Sequence, residues 1–417
     1  MSQLQKNTEI EALPPRPARS HRIKMAALLG MLAAIGPLSI DMYLPSLPTM
    51  TEHLQTTPSL VQLSLTFFLA GMGIGQLFAG PMSDVYGRRI PLLVGLSIFT
   101  VSSFLCAFSP SIEALIVLRL IQGLSGSVGV VISRATVRDM YSGVELTKFF
   151  ALLMLVNGAA PILAPIAGGQ LLRFTTWSGV FIVLSLLGVF MFISAFFSLP
   201  ETLPRERRSK SGIRNTVSTF SGLIRDRIFM GYALSQGLVS AAMFAYISGS
   251  PFVIQKIYGA SPQMYSLFFA INGLGIIIAT QVTGRLAGRI SETKLLIGGL
   301  CIASLAGVSL FTMIMLEAGL YGVMIPLFFV VSSVGMVSTA SFSLAMQNQG
   351  KSAGSASALL GLLSIIFGAL VAPLVGLGGE ATAIPMGIVI ACADIGSIVC
   401  YFVLIHRKKR RLNSELG

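Results

Sequence analysis

The chain has 417 residues, of which 54% are hydrophobic and only 11% charged, with a formal net charge of +13. A soluble domain is about half apolar and about one quarter charged, so this composition excludes a soluble globular protein and points to an integral membrane protein. The excess of Lys and Arg follows from membrane topology, as set out below, and calls for no nucleic-acid partner.

Residues 1–24 are polar and proline-bearing, with Arg16, Arg19, Arg22 and Lys24, and read as a cytoplasmic tail. Twelve apolar stretches follow, predicted at 25–47, 60–80, 90–109, 112–133, 148–172, 177–199, 229–255, 263–284, 293–315, 319–345, 352–377 and 383–405. Each is about 20 residues long, enough to cross a hydrocarbon core of about 30 Å. The first is too long for a signal peptide and lacks a cleavage pattern, so it is expected to remain as a span. Of the 29 Lys and Arg residues, Arg119 falls inside the fourth span, and Arg173 and Lys256 lie beyond the fifth and seventh. All others share the side of the two termini, and because short cytoplasmic loops retain Lys and Arg, both termini are expected in the cytoplasm. The largest basic cluster is Arg205, Arg207, Arg208, Lys210, Arg214, Arg225 and Arg227, in a linker at 200–228. That linker divides a six-span half at 25–199 from a second at 229–405, and a basic tail occupies 406–417. Attraction to anionic lipid head groups is an expected secondary effect of these charges.

Within the first span stands Asp41, in the run Ser39-Ile40-Asp41-Met42-Tyr43-Leu44-Pro45. An acid in a lipid-spanning helix is costly, and its default reading is functional, usually proton or ion handling with a partner. The competing reading is a structural acid satisfied by neighbouring hydroxyls and backbone. Arg119 lies about seven residues inside the outer start of the fourth span, and Asp41 about seven before Pro48. At about 1.5 Å per residue both sit about 10 Å deep. Two readings follow for Arg119: a charge pair with Asp41 that proton binding releases, or an arginine satisfying backbone carbonyls at a helix crossing. Gln122, one turn on, is a polar neighbour for it.

Between the second and third spans runs Gly80-Pro81-Met82-Ser83-Asp84-Val85-Tyr86-Gly87-Arg88-Arg89. Gly80 and Gly87 permit tight turning, while Asp84, Arg88 and Arg89 can pair with charges at helix ends. Arg134 and Arg138, one turn apart at the end of the fourth span, are candidate partners of Asp84 in a latch whose opening permits rocking. The fifth span carries Gly158, Pro161, Pro165, Gly168 and Gly169, which a bundle tolerates because neighbours re-satisfy freed backbone groups. They read as a kinked hinge combined with close packing. Tyr43, Gln122, Asn157, Gln236, Asn272 and Gln347 are weaker candidates for hydrogen-bonding a substrate, since buried amides more often join helices. Asp394 in the twelfth span is a second intramembrane acid, about 18 Å from the cytoplasmic edge on the same helical rise.

Cys106, Cys301, Cys392 and Cys400 lack metal or disulfide spacing, and His21, His53 and His406 are isolated. No phosphate-binding glycine loop occurs, so ATP drive, hydrolytic chemistry, redox chemistry, cofactors and metal are not expected. The two halves read as copies. Ala164-Pro165-Ile166-Ala167-Gly168 is echoed by Ala372-Pro373-Leu374-Val375-Gly376, Gly80 by Gly284, and Tyr43-Leu44-Pro45 by Gly249-Ser250-Pro251, all at a little over two hundred residues. Parallel six-helix repeats are a transporter architecture with the site between the repeats near mid-membrane.

These motifs carry a resemblance. The run at 80–89 resembles the loop signature of the major facilitator superfamily. Leu118-Arg119-Leu120-Ile121-Gln122-Gly123 resembles its fourth-span signature, and residues 158–169 the fifth-span motif of proton-linked drug antiporters. Asp41-Met42-Tyr43-Leu44-Pro45, with Pro161 and Pro165, narrows the resemblance to the bicyclomycin-resistance (Bcr/CflA) subfamily. The resemblance implies an all-α membrane protein of twelve helices in two six-helix halves, acting as a monomer in the bacterial inner membrane. It implies export of small amphipathic compounds, such as bicyclomycin- or chloramphenicol-like antibiotics, driven by the proton gradient, with no enzymatic activity. Asp41 would carry the proton and Arg119 assist. The half-repeat equivalent of Asp41, near Ile247, is uncharged, which assigns the proton site to the first half. Some relatives have a further acid where this chain has Ala33 and Ala34, which favours neutral or zwitterionic cargo. The alternative within the same fold is a carrier of a nucleoside, amino acid or sugar.

Overall fold

Lipid offers no partners to backbone N–H and C=O groups, so a spanning chain forms either helices or a closed barrel. The computed structural model describes residues 19–141, 143–208, 221–347, 349 and 353–406, and among these it is helical with no strand. The long helices are α1 (Arg19–Asp41), α2 (Pro58–Tyr86), α3 (Arg89–Ala107), α4 (Ile112–Met140), α5 (Gly143–Leu171) and α6 (Trp177–Ser198). The second set comprises α7 (Arg227–Phe252), α8 (Pro262–Leu286), α9 (Glu292–Met315), α10 (Gly319–Met346), α11 (Ala353–Val375) and α12 (Ile384–Cys400). Among the described residues, 11 helices are long and apolar enough to cross a bilayer. In α5 the apolar stretch is the shorter Leu155–Leu171, within a helix of 29 residues that carries both predicted prolines. Arg16, Lys210, Arg214 and residues 407–411, from the predicted tails and linker, lie outside the described residues.

Local chemistry sets where the helices begin. Thr57, Ser111 and Ser261 cap α2, α4 and α8 by accepting from the N–H groups of Leu60, Ala114 and Met264. The Asp226 carboxylate accepts from Ile228 and Phe229 at the start of α7. Each side-chain oxygen satisfies donors that have no partner within the helix. Pro58 and Pro262 occupy first helical positions, where a missing N–H is harmless.

Three boundaries differ from the hydropathy reading. The first span ends as an α-helix at Asp41 and continues as a 3₁₀ turn, Leu44–Ser46, and a short helix, Leu47–His53. Pro45 and Pro48 account for this, since each lacks an N–H and its ring clashes with the carbonyl four residues earlier, at Asp41 and Leu44. Helix α2 runs on to Tyr86 and α4 to Met140, because polar residues at a helix end lower hydropathy without ending the hydrogen-bond ladder. Gly80 to Tyr86 is therefore helix and only Gly87-Arg88 turns.

Packing repeats across the chain. Helix α1 packs on α5, α2 on α4 and α3 on α6, and six helices later α7 packs on α11, α8 on α10 and α9 on α12. The halves meet through α2 with α11 and through α5 with α8, which are the same contact related by a two-fold axis. The face where α1 begins and α12 ends is called here the terminal face, and the opposite one the distal face. One apolar core joins both halves on the distal side, with Leu47, Trp177, Phe181, Val253 and Val323 among its members. Toward the terminal face each half has its own core, around Met25, Leu92 and Phe149 in the first and Phe229, Leu296 and Leu360 in the second.

Candidate functional site

Asp41 is the last residue of α1 and is 4% exposed. It lines a cavity of about 260 Å³ between the halves, facing Met72 and Pro161 from its own half and Phe244, Tyr246 and Phe269 from the other. Among the lining residues Asp41 is the one acidic or basic side chain.

The expected pair with Arg119 does not form. The Arg119 guanidinium, fully buried, donates to the Ser39 carbonyl at 3.0 Å and to Gln122 Oε1. It lies 4.2, 4.5 and 5.6 Å from the ring centres of Phe68, Tyr43 and Phe181. Gln122 passes the network on by donating to Ser103 Oγ at 2.7 Å. Among the described residues no carboxylate lies within ion-pair distance of Arg119. The reason is helical geometry: Ser39 and Asp41 are two residues apart, hence about 200° around the helix. Arg119 holds the face of α1 that turns away from the cavity. It also grips both sides of the break, through a carbonyl before Asp41 and an aromatic ring after it. A cation near a helix C-terminus, where carbonyls lack partners, is favourably placed.

At the terminal face Asp84 pairs with Arg88 at 2.6 Å, and Arg88 also binds Asp139 at the end of α4 at 2.8 Å. Arg134 and Arg138, the expected partners of Asp84, are exposed, and among the described residues neither bonds it. Arg89 donates to the Phe196 carbonyl at 2.7 Å and lies over the Phe196 ring. Glu201 closes the cluster by accepting from the backbone N–H of Arg88 at 2.8 Å, Leu203 at 3.0 Å and Arg89 at 3.3 Å. Partial burial pushes the Glu201 carboxyl up, but these donors and the Arg208 charge outweigh it and hold the group below its ordinary range. Gly87 adopts φ 91°, and a side chain there would meet Glu201 and Arg208, so this turn requires glycine. Asp139 and Glu201 are essential to the cluster and absent from the sequence-based expectation. The available signal was weak: an acid directly after Arg138, and one after Pro200 just past the sixth span.

The fifth-span motif lies where α1, α5 and α8 converge. A Cβ on Gly168 would overlap the Met42 carbonyl oxygen at the break of α1, whereas one on Gly158 would meet only Ile277 Cδ1 at 3.9 Å. Pro165 and Gly169 present carbonyls to the other half, accepting from Ser266 Oγ at 2.7 Å and Gln263 Nε2 at 2.8 Å. Further polar contacts between the halves are Ser59 to the Pro373 carbonyl, Gln62 to Ser248, Gln255 to Pro45 and the Lys256–Glu52 ion pair. All of these gather on the distal side.

Of the weaker candidates, Asn272 alone adjoins the cavity wall, donating to the Tyr246 hydroxyl at 3.0 Å. Tyr43 and Gln122 belong to the Arg119 network, Asn157 bonds the Leu153 carbonyl of its own helix, and Gln236 lies away from the lining. Gln347 bonds Glu292 at the terminal end of α10. Asp394 is fully buried between α12 and α9, close to Gly307, and neither carboxyl oxygen has a partner among the described residues.

Residues 29–373 match the family model of the Major Facilitator Superfamily. A Bacillus subtilis (strain 168) protein described as an uncharacterized MFS-type transporter, YdgK, is 48% identical over 92% of this chain and 96% of its own length. A bicyclomycin resistance protein homolog of Haemophilus influenzae is 30% identical over 91% of this chain and 95% of its own. Among solved structures, the nucleoside transporter NupG superposes with a TM-score of 0.76 at 12% identity, covering 92% of this chain and 100% of that one. At that identity the likeness shows the fold alone.

Proposed function

The chain belongs to the major facilitator superfamily, grouping there with bicyclomycin-resistance homologues, and on that premise we propose that it is a proton-driven exporter of small amphipathic compounds. Bicyclomycin- and chloramphenicol-like antibiotics are its expected cargo. The observation that carries this reading is the position of Asp41: one acid on a cavity wall otherwise without charged side chains, at the break of α1 and at the interface of the halves. A carboxyl so placed binds either a proton or a donor group of the cargo, and its surroundings change when the halves rock. A ligand bound equally in both arrangements would shift nothing. The apolar lining supports an amphipathic cargo over a sugar, which would need many hydrogen-bonding partners.

Arg119 acts as a positioning residue, fixing the backbone on either side of Asp41. The distal contacts and the shared distal core support reading this arrangement as the one loaded from the terminal face. With both termini in the cytoplasm of a bacterial inner membrane, loading is cytoplasmic and release is outward, with the proton gradient as the only energy source and a monomer as the working unit. The test is uncoupler-sensitive efflux of bicyclomycin, chloramphenicol and a fluorescent cation by wild type and Asp41→Asn at equal expression. Efflux is expected to collapse in the variant. Unchanged, uncoupler-sensitive efflux by Asp41→Asn would remove Asp41 from the coupling step.

A further inference from the structure

On the distal face the short helix Leu47–His53 packs against α2, α6 and α7, and so against both halves. Its Leu47 and Met50 are fully buried in the core that also holds Trp177 of the first half and Val253 of the second. Two polar contacts tie this segment to the second half. Just before the helix the Pro45 carbonyl accepts from Gln255 Nε2 at 3.1 Å, and in its last turn Glu52 pairs with Lys256. His53, the next residue, reaches the other way. The indole N–H of Trp177, at the start of α6, donates to His53 Nδ1 at 3.3 Å, and the two rings meet edge to face with centres 5.8 Å apart. Trp177 is 3% exposed, whereas His53 is open to solvent. The segment that closes the distal side is thus anchored to its own half by one imidazole nitrogen.

An imidazole accepts at Nδ1 only while it is neutral with its proton on Nε2; in the protonated ring both nitrogens are donors. Protonation therefore turns an N–H toward the Trp177 N–H, removes the bond and leaves a buried indole donor unpaired. The other ionisable side chains at this corner are Glu52 on the same helix, Lys256 and Tyr258 after α7, and Arg173 in the loop before α6. Lys256 is engaged by Glu52 and Arg173 donates to Gln170, while α6 and the distal end of α2 bring no ionisable group. Glutamate changes charge near pH 4, and lysine, arginine and tyrosine at about pH 10 or above. Between about pH 5 and 8 histidine is the type that responds. We propose that His53 is an acid-sensitive pin of the distal closure. Neutral, it anchors the short helix so that the Pro45 carbonyl and Glu52 stand ready for Gln255 and Lys256. Protonated from the distal solution, it releases Trp177, and the distal-open arrangement gains. The reason is preorganisation, since an unanchored segment must be ordered each time the halves close, at a cost in conformational entropy. On the exporter reading the distal face is the outer one, so the pin releases where cargo leaves. The inference concerns the balance of arrangements and requires neither Asp41 nor a known cargo.

Trp177 is the single tryptophan of the chain, so its emission reports the contact without a label. The purified full chain is titrated from pH 8 to pH 5 while Trp177 emission is followed. Spin labels at Phe108 and Tyr321, exposed at the distal ends of α3 and α10, report distal opening by their distance distribution. Both measurements are repeated in Asp41→Asn, which removes any contribution of that acid. Wild type and Asp41→Asn are each expected to show one emission transition in this range, with the distal-open population rising about two- to tenfold, the worth of one hydrogen bond. His53→Gln, which offers an amide oxygen at every pH, should show neither change. His53→Leu, which has no acceptor, should already be shifted open at pH 8 by the same factor. An emission transition that survives in His53→Gln, the lack of one in wild type, or an acid-driven opening equal in wild type and His53→Gln would overturn the assignment. Export by Asp41→Asn, measured separately in proteoliposomes, decides the proton reading and leaves the His53 result untouched.

Discussion

The two glycines at the ends of the fifth-span motif should respond in opposite ways to the same substitution. In a helix interior, Gly→Ala is worth up to about 1 kcal/mol from backbone entropy alone. At Gly158 nothing opposes that gain, because a new Cβ meets only Ile277 Cδ1 at 3.9 Å. At Gly168 the new Cβ overlaps the Met42 carbonyl oxygen and lies 2.8 Å from its carbon, and a backbone carbonyl cannot swing aside as a side chain does. Overpacking of this kind costs about 1–3 kcal/mol. The net for Gly168→Ala is a loss of about 1–2 kcal/mol, falling on the arrangement in which α5 is pressed against the break of α1. At about 1.4 kcal/mol per factor of ten, the distal-closed population should fall roughly 5- to 30-fold relative to its alternatives. Spin labels at Phe174 and Tyr321, exposed distal positions on opposite halves, report that population by their distance distribution, with the melting temperature as a second readout. Gly158→Ala should match or exceed wild type in stability and keep its distance distribution. Indistinguishable behaviour of the two variants would refute the reading that the close approach of α5 to the break of α1 favours this arrangement.

Glu201→Gln should remove a pH-dependent part of the stability. A carboxyl held below its ordinary range stabilises the fold fully above the unfolded value of about 4.3. That contribution fades as pH falls through the lower folded value, so wild-type and variant melting curves should differ at neutral pH and converge in acid; a constant gap would contradict it. Across the distal face, Glu52→Lys and Lys256→Glu should each speed distal opening, and the double exchange should restore it. The coupling should stay at or below about 1 kcal/mol because Glu52 is 62% exposed, and a double-mutant cycle with no coupling would remove the ion pair from the distal contacts.

How much of this was legible in the sequence depended on whether a feature reports its own cost. Asp41 stands out because an acid among apolar residues has few bland explanations, and the helices stand out because hydrocarbon thickness fixes their length. The end of α1 was written in Pro45 and Pro48, but hydropathy averages over such breaks and joined the two pieces. Depth along a helix was read correctly enough to bring Arg119 and Asp41 to one level. Azimuth was not, because two residues of rise are only about 3 Å while two residues of rotation are about 200°. The Arg88 cluster was half visible: its motif marked the turn, but Asp139 and Glu201 look like any charge at a membrane edge until the fold brings α4 and the end of α6 beside it. Tyr246 was invisible for the opposite reason, since a tyrosine in an apolar helix has an ordinary reading as core.

The separation of Arg119 from Asp41 has a consequence for how charge is handled in the cavity. An arginine paired directly with the acid would screen it in every state, and cargo or proton would have to displace a bound cation before binding. Here Arg119 is satisfied by neutral acceptors and aromatic faces on the far side of α1, so its charge does not compete at the cavity wall. On the proposed exporter reading, the Asp41 carboxyl is left for the proton or for a donor group on the cargo to neutralise. No basic side chain is among the lining residues to supply a counter-charge. Fixed backbone on one side of α1 and an uncommitted acid on the other let a single helix end serve two purposes. The break is held by Arg119 from behind, and on the exporter reading the group that exchanges ligands stays clear of that cation in front.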